Sequence, residues 1–156
     1  MKTSVYKHGK SMESIHSIER VLGGKTILKS SPKTANDWHQ ILEGGLPLGA
    51  LDALKRVASL SDTQIATLVG ISGKTLQRAR SARQLLDSVS SDRLYRVARL
   101  IALASEVLDD AKRGIGWLTR AQPGLGGSIP LALMTTDAGC EQVEQLLLRI
   151  EHGVYT

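Results

Sequence analysis

The stretch ASLSDTQIATLVGISGKTLQRARSA, from Ala58 to Ala82, constrains the fold of this chain more than any other. Ser61 followed three residues later by Gln64 has the form of a capping box, which predicts a short helix starting at Asp62 with its first backbone donors satisfied. Gly70 predicts its end, because glycine enters the left-handed conformation of a sharp helix-to-helix turn without steric cost. Within that helix Ile65, Ala66 and Val69 fall at helical spacing, and Ile71 is placed to plug the turn. Ser72 is the next cap. The helix it starts puts Leu76 and Ala79 on one side and Lys74, Thr75, Gln77 and Arg78 on the other. Helix, tight glycine turn and second helix make the helix-turn-helix pattern, and the small Ala66 sits where two such helices cross closely.

The second helix also carries the chemistry of a groove reader. Arg and Lys pair with guanine or phosphate, Gln bonds adenine bidentately, and Thr touches a thymine methyl. Ser72, Lys74, Thr75, Gln77, Arg78, Arg80 and Arg83 are therefore the candidate DNA contacts. Between Ser72 and Leu86 there are four basic residues and no acid. A solvated face of a helical bundle is the plain alternative. It is disfavoured by the number of independent positions that agree: cap, small residue, glycine, plug and basic face.

Charge separates the chain into parts. Residues 48–100 hold nine basic residues against four acidic ones, net +5, and residues 1–33 hold seven against two, also net +5. Residues 121–156 carry only Arg149 against Asp137, Glu141, Glu144 and Glu151, net −3. Polyanion binding belongs to the first two thirds, and the acidic last third needs another task. With no Phe and only 3% aromatic residues, the core must be built from Leu, Ile, Val and Ala, which favours helix packing and disfavours stacking platforms for single strands. A lone Cys140 cannot form an internal disulfide, and no segment resembles a signal peptide or a membrane span, so a cytoplasmic protein is expected.

Helical signals continue on both sides. Residues 1–13 are polar and basic without a period that would bury a face, and read as a mobile arm or as one that lies along phosphates. Ser14 to Leu22 predicts a short helix closed by Gly23 and Gly24, and Asp37 to Glu43 a second one with Trp38, Ile41 and Leu42 facing inward. Pro47 opens a helix whose stripe is Leu51, Leu54, Val57 and Ala58. Ser90 or Ser91 is expected to cap a long helix with Leu94, Val97, Ile101, Ala104 and Leu108 on its apolar face, while Arg93, Arg96 and Arg99 flank it and meet either phosphates or acids. Asp109 or Asp110 starts a helix with Ile115, Trp117 and Leu118. A tight glycine connector, a turn opened by Pro130 and a final helix capped by Thr136 follow, with Val143, Leu146, Leu147 and Ile150 as the last stripe and Gly153 as the stop.

SGKTLQRAR, SDRLYRVARLIALASEVL and GWLTRAQPGLGGSIPLALMTTDAGCEQVEQLLLRIEHGVYT, in that order, resemble the MbcA/ParS/Xre antitoxins of bacterial type II toxin-antitoxin modules. The similarity runs from about Leu46 to Thr156. Its most specific parts are the Trp117-Leu118 pair, the Pro123 to Gly127 turn, Pro130-Leu131 and the closing Ile150 to Tyr155. The resemblance implies an all-α chain: a Cro-like helix-turn-helix domain over 46–100 and a small helical toxin-binding domain over 101–156, preceded by a basic arm and short helices over 1–45. It also implies a RES-domain toxin partner that resembles ADP-ribosyltransferases and depletes NAD, neutralised by covering its active site, and repression of the module's promoter. One departure is Gly73, which stands where an early reading side chain often points at DNA, leaving Lys74, Gln77 and Arg78 to do that work.

The residues at the C-terminal end agree in kind. Arg149, Glu151, His152, Gly153, Val154 and Tyr155 form a polar and aromatic tip that can be delivered into a partner's pocket; alternatively Val154 folds back on the last turn and Tyr155 covers the core. A homodimer is expected on operator DNA, with reading helices about 34 Å apart. A stand-alone repressor without a toxin partner is the competing function. Catalysis is not expected, because His8, His16, His39 and His152 are scattered, Cys140 has no His near it in sequence, and neither metal-ligand spacing nor a nucleotide-binding glycine motif is present. No cofactor or metal is therefore expected.

Overall fold

The computed structural model describes residues 18–153. In chain order these form a helical stretch over 18–21, then α1 (Gly24–Leu28), α2 (Ala35–Gly44), α3 (Leu48–Val57), α4 (Asp62–Val69), α5 (Gly73–Ala82), α6 (Ser88–Val107), α7 (Ala111–Leu118), a 3-10 turn (Pro123–Leu125), α8 (Pro130–Leu133) and α9 (Asp137–Glu151). No strand occurs among the described residues. The arm over 1–13, the predicted helix start at Ser14 and Ile15, and the tip residues Val154 and Tyr155 lie outside them.

The 20-residue α6 is the spine, with α2, α4, α7 and α9 packing against it. Its sequence explains this role: Leu94, Val97, Ala98, Leu100, Ile101, Ala102 and Ala104 are buried, so apolar side chains cover most of its circumference. Each such leucine or isoleucine contributes about 1.5 to 3 kcal/mol by leaving water. From α2, Trp38 is fully covered and its ring centroid lies 5.0 Å from that of Tyr95 on α6, at a tilted 51°. Towards its C-terminal end, α6 is approached closely by α7. A Cβ at Gly114 would lie 2.7 Å from the Ser105 backbone nitrogen, so only glycine permits this approach.

Caps decide most of the element starts. Thr34 and Asp37 form a capping box that starts α2 at Ala35, two residues before the expected Asp37. Asp110 caps α7 and Thr136 caps α9 as their sequences predict, and Pro130 is the first residue of α8. Three expectations require correction. Asp87, not Ser90 or Ser91, caps α6: its carboxylate accepts from the Ser90 amide at 2.6 Å, and both serines are buried inside the helix. The reason is tertiary, because the Ser91 hydroxyl accepts the Leu46 amide at 2.8 Å and so draws the first turn inward. Val57 is 42% exposed rather than part of the packed stripe, since it is the last residue of α3 and overhangs the core that Ala50, Leu51, Ala53 and Leu54 fill. Gly23 and Gly24 do not merely stop a helix; Gly24 opens α1, which packs on α3.

α6 runs unbroken through residues 100 and 101, where charge and similarity suggest a division. The buried residues on both sides of that point belong to one apolar cluster, from Ile18 through Leu147.

Candidate functional site

The turn between α4 and α5 is built by local rules. Ser61 accepts the Gln64 amide at 3.1 Å and Gln64 accepts the Ser61 amide at 2.8 Å, closing the capping box. At the other end Gly70 has φ 75°, and the amides of Gly70 and Ile71 both return to the Ala66 carbonyl, at 2.8 and 3.0 Å. Any side chain at Gly70 would also run into the Arg93 guanidinium of α6. Ile71 packs on the core from this turn, and Ala66 is buried at the α4–α5 crossing. Ser72 then caps α5, accepting the Thr75 amide at 3.0 Å, while its hydroxyl lies 2.8 Å from that of Thr75.

These contacts settle which face of α5 meets solvent. Leu76 and Ala79 are buried, whereas Ser72, Lys74, Thr75, Gln77, Arg78 and Arg83 are exposed. Lys74, Gln77, Arg78 and Ser81 line an open trough continuing to Gln84, and a second cleft between α4 and α5 is bordered by Thr63, Thr67, Gly73, Lys74 and Gln77. Space around Gly73 is open: a Cβ built there would meet nothing within 4 Å beyond its own chain neighbours and helix backbone. Arg83 ends α5 in the left-handed region at φ 50°. Among described residues no ion pair engages Lys74, Arg78 or Arg83.

Arg80 is placed differently. Its Nη2 donates to Asp52 of α3 at 2.6 Å and to Asp62 of α4 at 3.0 Å, and its Nη1 donates to the other Asp62 oxygen at 2.9 Å. Lys55 Nζ lies 2.8 Å from Asp62 as well. Arg80 and then Lys55 hold the Asp62 carboxyl far below the usual carboxylate range. Of the three flanking arginines of α6, Arg96 pairs with Asp137 at 3.1 Å and Arg99 with both oxygens of Glu144 at 2.6 and 3.1 Å. They take acids of α9 as partners, the commoner of the two readings of their sequence. Arg93 donates to the Val69 carbonyl at 3.4 Å.

The last helix offers a second surface. Glu141, Gln142, Gln145, Leu148, Arg149 and His152 are all exposed along α9, and Leu148 is apolar yet 38% exposed. Glu151 is half-buried and Gly153 exposed. Leu148 falls outside the stripe of Val143, Leu146, Leu147 and Ile150 that the sequence predicts, and its exposure agrees with that spacing. Cys140 is buried with its thiol directed to the Met134 carbonyl at 3.4 Å, and burial pushes that thiol's pKa up. Among the described residues no set of three His, Cys, Asp or Glu side chains converges. No helix of the described chain is long and apolar enough to cross a membrane.

An exposed cationic helix held behind a capped, glycine-turned partner defines a helix-turn-helix protein with a second helical unit attached to it. Two family models match: the antitoxin Xre-like helix-turn-helix domain over residues 37–99, and the antitoxin Xre/MbcA/ParS C-terminal toxin-binding domain over residues 103–153. The chain belongs to the Xre/MbcA/ParS antitoxin family. It is similar to Antitoxin Xre of Yersinia enterocolitica, 28% identical over 113 residues that make up 72% of this chain and 76% of that protein. Antitoxin Xre of Photorhabdus laumondii is 28% identical over 115 residues, 73% and 78% of the two chains, and that of Pseudomonas putida 35% over 80 residues, 51% and 50%.

Proposed function

We propose that this chain is the antitoxin of a type II toxin-antitoxin module, acting in the cytoplasm on two macromolecules at once. The observation that carries the reading is that two surfaces share one spine: a cationic α5 open to solvent, joined through α4 to α6, and an exposed, net acidic C-terminal unit that packs on the same α6. The helix-turn-helix binds the module's own operator as a homodimer. Lys74, Arg78 and Arg83, exposed and without an ion pair among the described residues, supply phosphate contacts whose contribution falls with salt, which narrows the base reading expected of Lys74, Gln77 and Arg78 to Gln77 with Ser72 and Thr75. The C-terminal unit takes a RES-domain toxin that consumes NAD and covers its active site with the end of α9: Arg149, Glu151, His152, Gly153 and the following Val154 and Tyr155. Exposed Leu148 joins that surface. Nothing in this account requires catalysis by the chain, a cofactor or a metal.

Co-purification tests the reading. The tagged product of the gene adjacent to this chain's own should carry the full chain through affinity and size-exclusion steps at a fixed ratio. An isolated gene, or a neighbour that elutes separately, favours a stand-alone dimeric repressor instead.

A further inference from the structure

We infer that Arg80, although on the reading helix, is a positioning residue that sets the pose of α5 rather than a contact to DNA. Its guanidinium is bound from two directions by carboxylates on two other helices: Asp52 on α3 and Asp62 on α4. The Asp62 contact is the two-pronged arrangement in which an arginine and a carboxylate fix each other's plane. Nη2 uses both of its hydrogens on these acids. Lys55 completes the group, so Arg80, Lys55, Asp52 and Asp62 together carry no net charge.

A phosphate contact is counted by the counterions its cation releases. A guanidinium already neutralised by carboxylates of its own chain releases few, and moving it to a phosphate would strand Asp52 and Asp62 beside a polyanion. As a strut the same residue has a clear use. α5 packs through only Leu76 and Ala79 as fully buried side chains, so its rotation about that short seam needs a second tether. Arg80 lies three residues after Gln77 and two after Arg78, and ties the C-terminal half of α5 to both of the preceding helices.

The inference rests on operator reading by α5, and the test separates the two. Full-length protein is titrated against a duplex taken from immediately upstream of this chain's own gene and against a scrambled duplex of the same composition, over a range of KCl concentrations. Four proteins are compared: wild type, Arg80→Lys, Asp62→Asn and Lys74→Ala. Lys74→Ala should reduce the log-log salt slope by about 0.9 while keeping the preference for the upstream duplex. Arg80→Lys keeps the charge but cannot span two carboxylates, so the slope should hold while the preference falls about tenfold. Asp62→Asn removes a negative charge near DNA, yet should lose preference in the same way. A phosphate-contacting Arg80 gives the opposite pattern, in which Arg80→Lys retains both slope and preference and Asp62→Asn tightens both duplexes; that result overturns the inference. Wild-type protein that does not prefer the upstream duplex overturns the operator reading and this role with it.

Discussion

At the scale of single residues, the account separates side chains that discriminate sequence from those that only hold the duplex. Gln77 is exposed on the α5 face, flanked by Lys74 and Arg78 along the same trough, and its amide can donate to and accept from a single base edge. Gln77→Ala should therefore relax discrimination by about 1 to 3 kcal/mol with the salt slope unchanged, as read from paired titrations of specific and scrambled duplexes. Arg83, exposed at the end of α5, should behave otherwise: Arg83→Ala weakens binding to both duplexes alike and lowers the slope by about 0.9. Equal changes in slope and preference for the two variants would contradict this division.

At the scale of elements, stability turns on caps and on the pairs that attach α9 to the spine. Ser61→Ala removes the hydroxyl that accepts the Gln64 amide and should cost about 1 kcal/mol in denaturant unfolding, with no change in the slope of the transition. The Arg99–Glu144 pair joins α6 to α9, and Arg99 holds the Glu144 carboxyl below its ordinary value. A depressed carboxylate supplies stability that is complete above the unfolded-state value and is lost as pH falls through the folded one. The melting temperature of wild type should thus drop more steeply below about pH 4 than that of Glu144→Gln. Matching acid limbs for the two proteins would show that the pair contributes nothing.

The same elements show what could be read in advance. Capping boxes and helix stops are local, so Ser61, Gly70, Ser72, Asp110, Thr136 and Pro130 fell where their neighbours in sequence place them. The start of α6 did not, because DSVSS offers several cap residues in a row and the choice is made by a hydrogen bond from Leu46, 45 positions away. Which face of α5 meets solvent was legible from the two buried positions Leu76 and Ala79. Arg80 was not separable from its neighbours, since nothing in the spacing of Asp52 and Asp62 announces that both converge on one guanidinium. Leu148, left out of the predicted stripe of Val143, Leu146, Leu147 and Ile150, is exposed as that spacing implies, but spacing alone does not mark it as part of a partner surface.

At the scale of the whole molecule, one helix joins two tasks. α6 packs against α4 of the helix-turn-helix and against α7 and α9 of the C-terminal unit, with both units drawing on one apolar cluster. A duplex and a toxin would then be held by two units that share one frame. Removing everything after Leu148 leaves Val143, Leu146 and Leu147 to hold α9 in place, so operator binding should persist within about threefold while toxin neutralisation is lost. The decisive measurement is NAD consumption by the purified product of the adjacent gene, with the full chain or the chain ending at Leu148 added at equal concentration. The account predicts that the full chain stops NAD loss at a stoichiometric ratio and that the shortened chain does not; unchanged NAD loss in the presence of the full chain would contradict it.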